Sequence, residues 1–195
     1  MYSFMTNDEL HRALRQQRLS GTTDSTDTYR WDTIHWKCDT LIDRALVYEL
    51  AIWLMQRKDC VIFGDRGCGK SHLAQDIGMI ANEAGFSVCY REASRLLKDI
   101  ALATSSAEDT EAITELLMVP LLIVDDLDVS NLPLVHAEHF LELILRRHTK
   151  TSTIIILSSS LAELSKCREH TPVKTALIDR LLHRQNVIEI RSKGD

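Results

Sequence analysis

The segment Gly64-Asp65-Arg66-Gly67-Cys68-Gly69-Lys70-Ser71 constrains this chain more than any other. It follows the short apolar run Cys60-Val61-Ile62-Phe63 and opens a stretch of helical periodicity, Lys70 to Ala84, that Gly85 closes. Glycines, a lysine and a hydroxyl at this spacing, set between strand and helix, make a loop whose successive N–H groups can wrap phosphate oxygens. The positive end of the following helix adds to the attraction. Lys70 is expected to bridge β- and γ-phosphates, and the Ser71 hydroxyl to hold Mg²⁺. The expected nucleotide contacts run from Gly64 through Asp65, Arg66, Gly67, Cys68, Gly69, Lys70 and Ser71 to His72, the last a packing residue rather than a catalyst.

Hydrolysis also needs a carboxylate on the metal and a group that orients the attacking water. Leu121-Leu122-Ile123-Val124-Asp125-Asp126 supplies two acids at the end of an apolar run. Asp125 is the expected metal partner. Asp126 is the candidate for orienting water, with a side chain one methylene shorter than a glutamate.

Further β-prone runs occur at Ser87-Val88-Cys89-Tyr90, Thr153-Ile154-Ile155-Ile156-Leu157 and Val187-Ile188-Glu189-Ile190. Helical periodicity recurs from Ala93 to Ala103, Asp109 to Met118, Val135 to His148, Ala162 to His170 and Thr175 to His183. Short apolar strands alternating with helices predict an α/β fold: a parallel five-stranded sheet flanked by helices. That domain is assigned to residues 40–195. Residues 1–39 read as a short helical arm, with Arg12, Arg15 and Arg18 on one stripe, followed by a polar linker. Tyr29, Trp31 and Trp36 precede the domain, where an aromatic ring could stack on adenine or pack in the core.

A complete strand and helix lie between the two acidic and phosphate motifs, which resembles the additional-strand class of P-loop ATPases that includes AAA+ proteins. In that class the fourth strand sits between the other two, so Thr153–Leu157 would deliver Ser158, Ser159 or Ser160 beside the γ-phosphate as a polar sensor. Gly69-Lys70-Ser71-His72-Leu73-Ala74, Leu121 to Leu127, Ala137-Glu138-His139-Phe140-Leu141-Glu142-Leu143, Ser152-Thr153-Ile154-Ile155 and Ala176-Leu177-Ile178-Asp179-Arg180-Leu181-Leu182-His183 together resemble the IstB family. These are AAA+ ATPases that assist transposases and are similar to DnaC-like helicase loaders. The resemblance covers roughly residues 40–191. It departs at the serine run, where the family usually places an asparagine or glutamine.

The resemblance implies an ATP- and Mg²⁺-dependent protein that assembles as a multimer on duplex DNA, recruits or stimulates a transposase, and hydrolyses ATP between subunits. An arginine from the neighbour would stabilise the transferring phosphoryl group, with Arg180 the first candidate, Arg184 the second and Arg147 a third at the same interface. Two alternatives are a DnaC-like loader of a replicative helicase and a nucleotide-binding regulator with weak hydrolysis.

Composition limits these readings. The longest apolar stretch, roughly Leu116 to Val124, is too short to span a bilayer, and the N-terminus carries Asp8 and Glu9 where a secretory signal would be basic. No membrane partner and a cytoplasmic location are expected. Five scattered cysteines never fall in a CxxC spacing, and Cys167 with His170 makes only half of a zinc site. The net charge of −5 is unevenly spread: residues 99–145 hold ten acids and no Lys or Arg, while residues 146–195 hold ten bases and five acids. An acidic total therefore leaves room for a local basic surface that could meet DNA phosphates.

Overall fold

In the computed structural model, which describes residues 52, 56–105, 110–167, 171–183 and 186–190, the apolar runs become five parallel strands. These are β1 (Cys60–Gly64), β2 (Val88–Glu92), β3 (Leu121–Leu127), β4 (Ser152–Leu157) and β5 (Asn186–Ile190). Their order across the sheet is β2-β3-β4-β1-β5, and every neighbouring pair is parallel. The strand with the phosphate loop and the strand with the paired acids are thus separated by β4, as the additional-strand pattern requires. The expected arm and linker, the aromatic trio Tyr29, Trp31 and Trp36, and Arg184 lie outside the described residues.

Alternation along each strand divides the core in two. Cys60 and Ile62, Leu121 and Ile123, and Ile154 and Ile156 face helix α1 (Lys70–Glu83), which contributes Leu73, Ala74, Ile77, Ile80 and Ala81. Val61 and Phe63, Leu122 and Val124, and Ile155 and Leu157 face the other way. That second face is covered by α2 (Ala93–Ser105), α3 (Thr110–Met118), α4 (Leu134–Arg147) and α6 (Pro172–His183), with α5 (Leu161–Cys167) at the edge. β3 and β4 are apolar on both faces because helices cover both. A fully buried isoleucine such as Ile62 or Ile154 stabilises the fold by roughly 1.5–3 kcal/mol relative to exposure. No helix among the described residues is long and apolar enough to cross a membrane.

Two elements begin or end where side-chain chemistry differs from hydrophobic periodicity. Helix α6 starts at Pro172, three residues before the apolar pattern suggests, because the Thr171 hydroxyl accepts the Lys174 N–H at 3.3 Å and proline suits a first helical position. Strand β3 runs through the acids to Leu127, but its register against β4 slips: Val124 pairs with Ile155 and Leu127 with Leu157. One residue is therefore extra on β3, and Asp126 adopts a left-handed φ of 58°. This is a β-bulge.

Arg147, a candidate for a subunit interface on sequence grounds, is instead fully buried at the end of α4. Its guanidinium donates to the carbonyls of Leu116 and Ser152 and, through Nε, to Thr153 Oγ1 at 3.1 Å. It fastens α3 and α4 to the start of β4 and cannot reach another subunit. Burial lowers its pKa to about 10, opposed by the nearby charges of Asp59 and Cys89. Asp59 completes the same corner, accepting the Thr153 N–H at 3.0 Å and facing His148 Nδ1 at 3.4 Å.

Candidate functional site

The phosphate loop leaves β1 at Gly64, whose φ of 145° only glycine adopts easily, and a Cβ there would sit 2.0 Å from the Ile190 carbonyl oxygen of β5. At Gly67 (φ 78°) a Cβ would meet nothing within 4 Å, so the loop opens onto free space. Gly69 caps α1 with a φ of 95° and no side-chain hydrogen bond, and the first turn of α1 contains no acid. The helix N-terminus thus keeps its N–H groups and positive field for an incoming anion. Cys68 packs inward and is buried, while Asp65, Arg66 and Gly67 are exposed. His72 is exposed on the first turn of α1 and is not among the residues lining the cleft.

Beneath the loop, Lys70 Nζ donates to the Gly64 and Asp65 carbonyls, both at 2.8 Å. Neutral oxygens hold the ammonium at the place where phosphate oxygens would be stronger partners. Ser71 Oγ donates to Asp125 Oδ1 at 3.1 Å, so two elements 54 residues apart meet at one point. The cleft has a volume of about 470 Å³ and is lined by Arg66, Gly67, Lys70, Ser71, Tyr90, Glu92, Asp125, Asp126, Ile156 and Ser158.

Consecutive strand residues normally point to opposite faces. The bulge in β3 is what lets both Asp125 and Asp126 line the cleft. It also turns the Asp126 N–H onto Asp125 Oδ1 at 2.8 Å.

Of the three serines after β4, Ser158 is the one on the cleft wall. Ser159 and Ser160, also expected near the γ-phosphate, are hydrogen-bonded elsewhere in this structure. Ser159 is buried and donates to Asp128 Oδ1 at 3.0 Å. Ser160 caps α5: its N–H and hydroxyl meet Glu163 Oε2 at 2.7 and 2.9 Å, while the Glu163 N–H returns to Ser160 Oγ at 3.3 Å. This reciprocal pair is a capping box, and it holds the Glu163 carboxyl below its usual pKa.

Asp128 organises the loop between β3 and α4. Burial works to raise its pKa, but the Asn131 side chain and N–H, the Ser159 hydroxyl and the Ser130 N–H outweigh it and hold the carboxyl below the ordinary value of 3.8. Lys174 of α6 donates to the Ser130 carbonyl at 2.9 Å, tying the same loop to the helix that carries Arg180. Arg180 is half-buried on α6 and is not among the residues lining the cleft of its own chain.

Tyr90 and Glu92 are site residues that sequence reasoning missed. Register places Glu92 opposite Asp125 on the neighbouring strand. The signal is long-range pairing, and the local pattern of an apolar strand hides it. Two described thiols are held protonated: Cys60 is pushed up to about 12 by burial and by Asp59, and burial raises Cys89 as well.

The donor set fits a Mg²⁺–nucleotide. Mg²⁺ prefers oxygen ligands, and at nucleotide sites it takes one or two from protein and the rest from phosphates and water. Ser71 Oγ and Asp125 Oδ1 provide such a pair below an open loop. Among the described residues no cluster of three or more His, Cys, Asp or Glu side chains suggests another metal centre.

Comparison with known proteins gives the same picture. The family described as IstB-like ATP binding protein matches residues 4–194. A Pseudomonas aeruginosa protein named for insertion sequence IS21 and for ATP binding is 28% identical over 155 residues, 78% of this chain and 58% of the relative. A similarly named Geobacillus stearothermophilus protein of insertion sequence IS5376 is 25% identical over 165 residues, covering 84% and 66%. The chain thus spans between about half and two thirds of the length of these curated relatives. Among solved structures, the DnaC helicase loader superposes with a TM-score of 0.63 at 18% identity, covering 82% of this chain and 95% of that one. DnaA of Aquifex aeolicus bound to AMPPCP gives a TM-score of 0.59 at 22% identity, covering 74% and 45%. The structural likenesses show the fold, that of the P-loop AAA+ proteins.

Proposed function

We propose that this chain, which belongs to the family of IstB-like ATP binding proteins, is a Mg²⁺-dependent ATPase that assembles on duplex DNA and recruits or stimulates a transposase. The observation that carries the nucleotide part is the meeting of Ser71 and Asp125 at 3.1 Å under the loop that holds Lys70. The transposition part is supported by the insertion-sequence names of the relatives.

When bound, Mg²⁺–ATP supplies the electrophilic γ-phosphoryl group and a cation to balance its charge. The chain's own residues do the rest. The loop N–H groups and the first turn of α1 receive the phosphates, Lys70 moves from the loop carbonyls to phosphate oxygens, and Ser71 and Asp125 hold the metal. Asp126, set on the cleft wall by the bulge, orients the attacking water. Ser158 takes the polar position near the γ-phosphate. Arg180, outside its own cleft, acts on the site of an adjacent subunit, and Arg184, four residues on in sequence, is the second candidate. Head-to-tail contact of that kind builds rings or open helices.

The test measures particle size and phosphate release together, with and without duplex DNA, using ATP, ADP and a non-hydrolysable analogue. ATP-dependent assembly on duplex DNA, with turnover about 100-fold lower in Lys70→Ala, is the expected result. A monomer indifferent to duplex DNA, or a Lys70→Ala protein with normal turnover, would remove the proposal. Preference for single strands together with capture of a replicative helicase would replace it with the helicase-loader reading.

A further inference from the structure

Tyr90 stands on β2 in register with Ile123, its ring packed on the core face covered by α1 and its hydroxyl at the cleft wall. The hydroxyl donates to Asp125 Oδ2. The other carboxylate oxygen, Oδ1, accepts from Ser71 Oγ at 3.1 Å and from the Asp126 N–H at 2.8 Å. The two oxygens of Asp125 are therefore divided between a β2 side and a Ser71 side.

We propose that Tyr90 is a positioning residue for the metal: by holding Oδ2 it turns Asp125 Oδ1 toward Ser71, where the cation is bound. The inference rests on the nucleotide-site reading above. An aspartate carboxylate rotates in a broad, roughly two-fold well, whereas Mg²⁺ demands near-ideal octahedral geometry. An anchor on one oxygen removes that freedom before the metal arrives. A phenol suits this task because it is neutral near pH 7, so it leaves the carboxylate its full charge; a lysine or arginine in its place would repel the cation. Tyr90 takes the oxygen turned away from Ser71, so it does not compete for the metal ligand.

Residues that orient a metal ligand typically change metal affinity 10–100-fold when removed. Tyr90→Phe keeps the packed ring and removes only the donor. With saturating ADP and free Mn²⁺ followed by electron paramagnetic resonance, Tyr90→Phe is expected to bind Mn²⁺ about tenfold more weakly than the wild type. Binding of a fluorescent ADP analogue in EDTA should stay unchanged. In an Asp125→Asn background, Tyr90→Phe should have no further effect on Mn²⁺, because it acts through that carboxylate.

Equal or tighter Mn²⁺ binding in Tyr90→Phe overturns the proposal. So does an equal loss of ADP affinity in EDTA, or an effect that persists with Asp125→Asn. If the wild type binds ADP without any Mn²⁺, the metal site itself fails and takes both readings with it; normal wild-type binding with an indifferent Tyr90→Phe removes only this one.

Discussion

Arg147 illustrates how burial decides a residue's role. Its sequence position, two residues after an exposed Leu145 and beside the exposed Arg146, has the look of a helix surface available to a neighbour. The chain folds it inward, where three acceptors from α3 and β4 compensate the desolvated cation. Truncation would leave buried oxygens without donors and a void the size of a long side chain. Arg147→Ala should therefore destabilise the domain by about 3 kcal/mol or more. In a domain of this size that lowers Tm by roughly 6–12 °C, measurable by thermal denaturation. A shift under a degree would show that the three bonds contribute nothing net. The same scale explains which site residues were readable. Lys70, Ser71 and Asp125 follow from spacing, because their chemistry depends on near neighbours in the chain. Tyr90 and Glu92 depend on which strand lies beside β3, and a tyrosine in an apolar run is indistinguishable from core until that pairing is known.

At the level of elements, the five strands and most helix limits were legible because buried β-branched runs and 3.6-residue periodicity are local properties. The β3 bulge was not, since it arises from a mismatch with β4. Ser160 is different: Ser160-Leu161-Ala162-Glu163 is a capping-box pattern open to inspection, and it assigns the serine to the start of α5 instead of to phosphate. The loop from β3 to α4 gives a pH prediction. Asp128 has a folded pKa below 3.8, so its contribution to stability is complete above that value and is lost as pH falls through the lower, folded value. Asp128→Ala should cost about 1 kcal/mol at pH 7, allowing for solvent screening of a partly exposed carboxylate. The difference from wild type in urea unfolding should shrink as pH falls below 3.8 and through the lower, folded value. A difference that is constant with pH would mean that the carboxylate's charge is irrelevant and that only the loop's packing was lost. Because Ser159, Ser130 and Lys174 share this loop with Asp128, the variant should also loosen the tie between the end of β3 and α6.

Across the whole molecule, the cleft and α6 belong to one chain but serve different sites in the proposed assembly. The cleft holds a loop lysine, a Ser–Asp pair and two further carboxylates, Asp126 and Glu92, yet Arg180 is not among its lining residues. Among the described residues, the cations on its wall are Arg66 and Lys70, both from the loop itself. If Arg180 completes a neighbour's site, loss of the phosphate lysine and loss of the arginine are defects in opposite halves of each interface. Lys70→Ala and Arg180→Ala should each lower turnover about 100-fold alone. Mixed in equal amounts before assembly, about one interface in four joins an intact loop, from an Arg180→Ala subunit, to an intact arginine, from a Lys70→Ala subunit. Phosphate release in the mixture should then recover to about a quarter of the wild-type rate per subunit, and dilution with either variant should reduce it. An arginine acting within its own chain, or one that merely supports α6, predicts no recovery at any ratio. The mixing curve therefore separates an intersubunit site from an intrachain one without requiring the shape of the multimer, since a ring and an open helix repeat the same directional contact.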